Sequence, residues 1–260
     1  MDSYLMPRIS RLSLKVWRRN WDVFFKTYQV NFLPPFVEPV LYLLAIGFGL
    51  GMFVGEIGGV PYVNYIAPAL LAISMMNAAF FECTYSSYVR MYYQKTFEAM
   101  IATPLSLDDV VTGELLWGAT RSCIYSSVML LVFILFGVVD LPSSLFIIPF
   151  SFLAGLLFAC IAMCFTAITP GIDALNYPSF LFITPMFLFS GTFFPLVVLP
   201  QTIQFLAVAL LPLTQLVIIT RSLTLSTLSP LFLYSLVWIV VVTTLCFILS
   251  LRLMRRRLIV

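Results

Sequence analysis

The chain has 260 residues, 62% hydrophobic and 10% charged, with a mean hydropathy of +1.05, far from the roughly 45–50% apolar and about 25% charged of soluble domains. Crossing a bilayer takes about 20 mostly apolar residues. The composition therefore predicts an all-α integral membrane protein of about six spans, a single transmembrane domain over residues 1–260, with little room for catalytic machinery outside the membrane; the net charge of +3 gives no argument for nucleic acid.

Histidine is absent, which removes imidazole ligands, bases and proton relays. The cysteines, Cys83, Cys123, Cys160, Cys164 and Cys246, all fall in apolar runs without CxxC or zinc-type spacing. They read as packed, reduced thiols.

Residues 8–28 have a helical period outside the spans: Trp17, Trp21, Phe24 and Tyr28 follow one face, and Arg11, Lys15, Arg18, Asp22 and Lys26 the other. An interfacial helix is predicted, aromatic face at the headgroups and basic face toward anionic lipid. The first span follows over Phe36–Val54, and Asn31, Pro34, Pro35 and Pro39 are expected to break the helix before it. Gly47, Gly51 and Gly55 form a double GxxxG that admits a close helix neighbour.

The second span covers Val63–Phe81 and ends at a wet aromatic boundary of Glu82, Tyr85, Tyr88, Arg90, Tyr92 and Tyr93; residues 90–109 read as aqueous. The third span, Val110–Phe136, carries Glu114 and Arg121 in its first half, and the fourth covers Leu145–Ile168. A fifth apolar stretch starts at Tyr177 and continues to Thr220, broken at Ser190, Gly191, Pro195, Pro200 and Pro212. The last span is Pro230–Leu251.

Charge decides how the broken stretch crosses. Arg8, Arg11, Lys15, Arg18, Arg19 and Lys26 precede span one, Arg90 and Lys95 lie between spans two and three, and Arg252, Arg255, Arg256 and Arg257 follow the last. All share one side only with six spans, which makes both termini cytoplasmic by the positive-inside rule. Residues 191–225 must then enter and leave on the outer side, as a re-entrant helical hairpin between spans five and six, tolerated where protein or water covers it. This hairpin is the candidate gate, with Arg221 as the one external cation.

Ionisable groups within spans are functional candidates, which brings forward Glu38, Glu82, Glu114 and Arg121. Arg121 is placed to pair with Glu114 or Glu82, as a structural ion pair or as a cargo contact. No GxxxxGK[ST] occurs, so nucleotide energy must come from a partner. Within 93–109, Phe97, Met100 and Ile101 share one helix face, Pro104 stops the helix, and Ser106 with Asp109 makes an S-x-x-D cap for the next one. A rigid lever driven by a soluble partner and an ordinary interhelical loop both fit that pattern.

The segment EAMIATPLSLDDVVTGELL, Glu98 to Leu116, resembles the coupling segment of type-two ABC exporter permeases. WRRNWDVFFK (17–26), EPVLYLLAIGFGLG (38–51), FFECTYSSYVRMYYQKTFEAM (80–100) and ITPMFLFSGTFFPLVVLP (183–200) are similar to members of that family that export lipo-oligosaccharides. The resemblance implies a homodimer of six-span subunits, in contact with membrane lipids, over two copies of a separate ABC ATPase subunit. ATP and magnesium would bind to that ATPase, and this chain would hold no cofactor and catalyse no reaction. It places Gln94, Lys95, Phe97, Glu98, Met100, Ile101, Thr103 and Pro104 in ATPase coupling, and Phe193, Phe194, Pro195, Leu199 and Pro200 at the external gate. The function expected is ATP-driven outward export of an amphipathic, lipid-linked or drug-like molecule across the bacterial cytoplasmic membrane. Two rivals have weaker support. A gradient-driven secondary transporter would want midplane carboxylates and two related broken halves, and a lipid-modifying enzyme would want a denser polar cluster than Asp108 with Asp109.

Overall fold

The computed structural model describes residues 9–227 and 229–258; Arg8, the first residue of the predicted interfacial helix, lies outside them. Ten helices are distinguished here among the described residues. α1 is Ser13–Lys26. α2 begins as Tyr28–Tyr42 and runs on through wide π-helical turns at Leu43–Leu50 to a last turn at Gly51–Val54. A minimal antiparallel hairpin, β1 Glu56–Ile57 and β2 Val60–Pro61, follows. α3 is Tyr62–Tyr93, widened into π turns at Glu82–Ser86 and Val89–Tyr93. Then come α4 Thr96–Ile101, α5 Leu107–Leu135, α6 Ser143–Ile168, α7 over 176–189, α8 Gln201–Leu210, α9 Pro212–Thr224 and α10 Phe232–Leu258.

Five of these are long and apolar enough to cross a bilayer: Pro35–Val54 of α2, and α3, α5, α6 and α10. α3 is almost wholly enclosed by α5, α6 and α9, whereas α2 and α10 turn most of their surface outward. The remaining crossing is made by α7. Tyr85 Oη donates to Asn176 Oδ1 at its start (2.7 Å), and Tyr62 Oη to the Phe193 carbonyl just past its end (3.4 Å). Tyr62 and Tyr85 stand near opposite ends of α3, so α7 traverses the bundle even though it is shorter than the other spans.

The broken stretch does not cross again. α8 and α9 meet at Leu211 with a bend of 88°. Gly191 lies against Arg221 (3.1 Å), and the Asp140 amide donates to the Thr224 carbonyl at 2.9 Å. Residues 191 and 224 therefore lie at the same end of the bundle, as charge parity requires.

The prolines before the first span break nothing. The chain turns at Thr27 (φ −115°, ψ 27°), and Pro35 and Pro39 ride inside α2. Pro35 has no N–H for the Asn31 carbonyl four residues back, and that carbonyl takes the Tyr125 hydroxyl instead, at 3.2 Å. A neighbouring helix thus supplies the bond that the proline removes. The glycine ridge Gly47, Gly51 packs inside the subunit, against Val63.

The predicted cap of α5 forms as a full capping box: Ser106 Oγ accepts from the Asp109 amide (3.1 Å), and Asp109 accepts from the Ser106 amide (3.2 Å). Asp109 also receives the Ser10 amide at 2.6 Å. Ser106→Ala is expected to cost about 1 kcal/mol, read as a lowered melting temperature in detergent; an unchanged melt would show that Asp109 and the Ser10 amide suffice.

Candidate functional site

The intramembrane charges converge where α1, the π-turned end of α3 and the first half of α5 meet. α1 docks through Ser13, Val16, Asn20 and Phe24, which are buried. Close approach is possible because Gly113 has no side chain: a Cβ there would stand 2.5 Å from Val16 and 2.7 Å from the Ser13 carbonyl. Trp17 Nε1 donates to Thr120 Oγ1 (2.9 Å), and Trp21 and Phe24 pack edge-on against Trp117. The aromatic face of α1 is thus partly a protein contact, while Val23, Phe25 and Tyr28 remain exposed.

Glu82, 2% exposed, is paired with Arg121 and with Arg90 (2.8 Å) and accepts from Trp117 Nε1 at 2.9 Å. Glu114, fully buried, accepts from Asn20 Nδ2 (2.8 Å), Ser87 Oγ (2.9 Å) and Arg90 Nε (2.9 Å). Arg121 chooses Glu82 over Glu114, and Arg90 links the two carboxylates. By hydropathy Arg90 belongs to the aqueous stretch 90–109, but the structure turns it inward. Its spacing of i, i+8 from Glu82, just over two helical turns, was the signal that could have moved it inward. Asn20 and Trp117, also unanticipated, satisfy the remaining carboxylate lone pairs, as buried charges require.

This network forms the wall between two cavities. One, of about 390 Å³, is bounded by Arg19, Asn20, Asn31, Gln94 and Trp117 among others; its neighbour, of about 370 Å³, is bounded by Glu38, Ser74, Asn77, Phe81 and Tyr125. Glu82, Tyr85, Ser86 and Arg121 line both. Burial holds the Arg19 guanidinium below its usual value, against the attraction of Glu114. Arg19, Arg90 and Arg121 stand against Glu38, Glu82 and Glu114, so the formal charges balance and leave the double cavity with amides, hydroxyls and aromatic faces. Such a lining suits a polar headgroup better than a strongly anionic one.

The segment after α3 is short and stiff. Lys95 takes a left-handed conformation (φ 53°) and starts α4; Phe97 and Met100 are buried, while Ile101, expected on the same face, is 39% exposed. α4 packs on the Val89–Tyr93 turn and on α5. Lys95 Nζ donates to Glu98 Oε1 at 2.9 Å, a hydrogen bond that raises the ammonium above its ordinary value. Gln94, Thr103 and Pro104 are exposed beside it. The neighbouring helix ends are clamped: Arg255 grips Asp108, and Arg257 Nη1 donates to the Thr166 and Thr169 carbonyls (2.5 and 2.6 Å).

At the opposite end, Phe193 stacks edge-on with Phe187 (4.9 Å), and Phe194 and Pro195 are half-buried beside it. Leu199 accepts from Gln204 Nε2 at 2.7 Å, and Pro200 starts α8. The sequence-predicted residues thus form three separate groups: the charges, the α4 segment and the turn after α7.

The family model for the ABC-2 type transporter matches residues 13–224. Nodulation protein J of Sinorhizobium fredii is 40% identical over 200 residues, 77% of this chain and 76% of its own. Nodulation protein J of Bradyrhizobium diazoefficiens is 34% identical over 222 residues, 85% of this chain and 84% of its own. The inner membrane transport permease YadH of Escherichia coli is 22% identical over 185 residues, 71% of this chain and 72% of its own. With a multi-pass helical bundle, a family match over most of the chain and relatives above 30% identity, this protein belongs to the ABC-2 type transporters, as a membrane permease subunit that lacks ATPase activity and works with an ATPase partner.

Proposed function

We propose that this chain forms, as a homodimer over two ATPase subunits, the path by which an amphipathic, lipid-linked or glycolipid-like molecule leaves across the cytoplasmic membrane. The observation that carries the reading is the double cavity, in which amide, hydroxyl and charged groups are set among apolar surface, flanked by the exposed apolar residues Val23 and Phe81. A headgroup can lie against Asn31, Ser74, Asn77 and Tyr125 while its lipid tail stays in hydrocarbon. Both termini are assigned to the cytoplasmic side, because α1, Lys95 and the arginines of α10 gather at one end of the bundle.

Force would enter through α4. Closure of the ATPase dimer presses on residues 94–104, with Glu98 exposed for contact. Phe97 and Met100 pass the displacement to the Val89–Tyr93 turn, which carries Arg90 and therefore the carboxylates Glu82 and Glu114. The cavity walls and the coupling segment thus share one turn of helix. Residues 191–225 would act as the external gate, with Phe193, Phe194, Pro195, Leu199 and Pro200 at its lip.

In lipid discs with the partner ATPase, Glu98→Ala is expected to lower cargo transport by about tenfold or more, the loss of roughly one charge-assisted contact, and Phe97→Ala to do the same by emptying the packing between α4 and the Val89–Tyr93 turn, while ATP hydrolysis continues. Asn77→Leu is expected to lower transport without uncoupling it. Full transport in both α4 variants would end the coupling assignment; full transport with Asn77→Leu would end the assignment of the cavity.

A further inference from the structure

Arg221 is a cation with only neutral company. It sits in the last turn of α9, and among the described residues it makes no ion pair; the five that form lie elsewhere. Its guanidinium carbon is 4.0 Å from the Tyr65 ring centroid, and Nη2 donates to the Gly191 carbonyl at 3.1 Å. Its Nε is buried without a hydrogen bond of good geometry, the Tyr65 hydroxyl leans on Arg221 and has no acceptor of its own, and the buried hydroxyl of Ser190, the residue before Gly191, has no partner. The guanidinium thus has a neutral carbonyl and a phenol for company, and the Ser190 hydroxyl beside Gly191 has donor capacity to spare. A planar guanidinium and flanking hydroxyls are the chemistry that binds an oxyanion, and a charge-assisted pair with an oxyanion outweighs a bond to a neutral carbonyl.

The same bond has a mechanical place. It joins residues 30 apart in sequence and closes the neck of the loop that contains α8 and most of α9. Gly191 holds a left-handed conformation (φ 71°), and a Cβ there would stand 2.9 Å from Leu196 Cγ, so the turn has little freedom to rearrange around another side chain. Two uncharged side-chain bonds also hold this turn, Thr192 Oγ1 to the Phe187 carbonyl at 2.7 Å and Tyr62 Oη to the Phe193 carbonyl at 3.4 Å, so the guanidinium supplies its one charged tether among the described residues.

We propose that Arg221 is an anion-operated latch: an oxyanion group that reaches its guanidinium takes it from the Gly191 carbonyl and frees the 190–195 turn. The latch rests on these contacts alone. That its opening serves release of cargo rests on the export reading above, and the two are tested apart.

The test is hydrogen exchange of the amides in 190–198, on the permease with its ATPase in neutral dodecyl maltoside. The additions are phosphatidylglycerol, diacylglycerol with the same tails, or inorganic phosphate. Phosphatidylglycerol is expected to speed exchange of wild type by about tenfold, the loss of one charge-assisted hydrogen bond, and diacylglycerol to leave it unchanged. Arg221→Met should exchange fast under every condition, and Tyr65→Phe should start slow and respond less to the anion. If phosphate alone matches phosphatidylglycerol, the site takes a free oxyanion; if only the lipid acts, it takes a headgroup. Wild-type exchange indifferent to both anions overturns the proposal, as does Arg221→Met exchange as slow as wild type. Because no transport is measured, failure of the export reading would leave this result standing.

Discussion

Glu82→Ala is expected to destabilise the folded permease by about 3–5 kcal/mol, the cost of removing one member of a buried ion pair. Arg90 would keep Glu114, but Arg121 would keep only Tyr125 Oη (3.0 Å), with its Nε already buried and without a partner. Trp117 Nε1 would also lose its acceptor. The measurement is thermal melting in detergent of wild type, Glu82→Ala and the double variant Glu82→Ala, Arg121→Met. The double variant should regain much of the loss, because it removes the uncompensated charge together with its partner. A single variant within about 1 kcal/mol of wild type, the worth of a solvent-screened surface pair, would mean that water reaches the network.

Gly113→Leu is expected to push α1 off α5. Even the first carbon of a side chain would meet the α1 backbone at 2.7 Å, and backbone cannot swing aside as a side chain can. Overpacking of this kind costs about 1–3 kcal/mol or more, and here it is concentrated on the contacts of one helix: Trp17 with Thr120, and Asn20 with Glu114. The first cavity would lose the wall that Arg19, Asn20 and Phe24 provide. Limited trypsin digestion in membranes reads this directly, since Lys15, Arg18, Arg19 and Lys26 lie along α1. Faster cleavage at Arg18 and Arg19 than in wild type is the expected result; equal protection would show that α1 holds by other contacts.

Span positions were legible because long apolar runs leave few alternatives: Val63, Leu145 and Leu251 all fall in the helices that they predicted. The re-entrant course of 191–224 was legible from charge parity, and the α5 cap from Ser106 and Asp109. What hydropathy could not carry is the direction in which a side chain points. Arg90 counts as a boundary charge in any window average, yet the π turn at Val89–Tyr93 brings it onto both carboxylates. Val16 and Asn20 do not stand out beside the tryptophans of α1, yet they lie closer to α5, because the partner there is a glycine. The prolines of α2 were misread because their punctuating power assumes water, and a bundle in lipid supplies other donors. Fold class and the short helix that Pro104 ends thus came from pattern, and the network from packing.

The charge network also bears on the order in which the chain is made. Arg90 and Glu114 are 24 residues apart, Arg121 and Glu82 are 39 apart, and the most distant member, Asn20, precedes them all. Every group that neutralises the buried carboxylates has therefore been synthesised by residue 121, ahead of α6, α7 and α10. A carboxylate stranded in hydrocarbon is costly, and here the interval of exposure is limited to the synthesis of one helix and its connection. Maturation can thus proceed as a sealed amino-terminal half onto which the later spans are added.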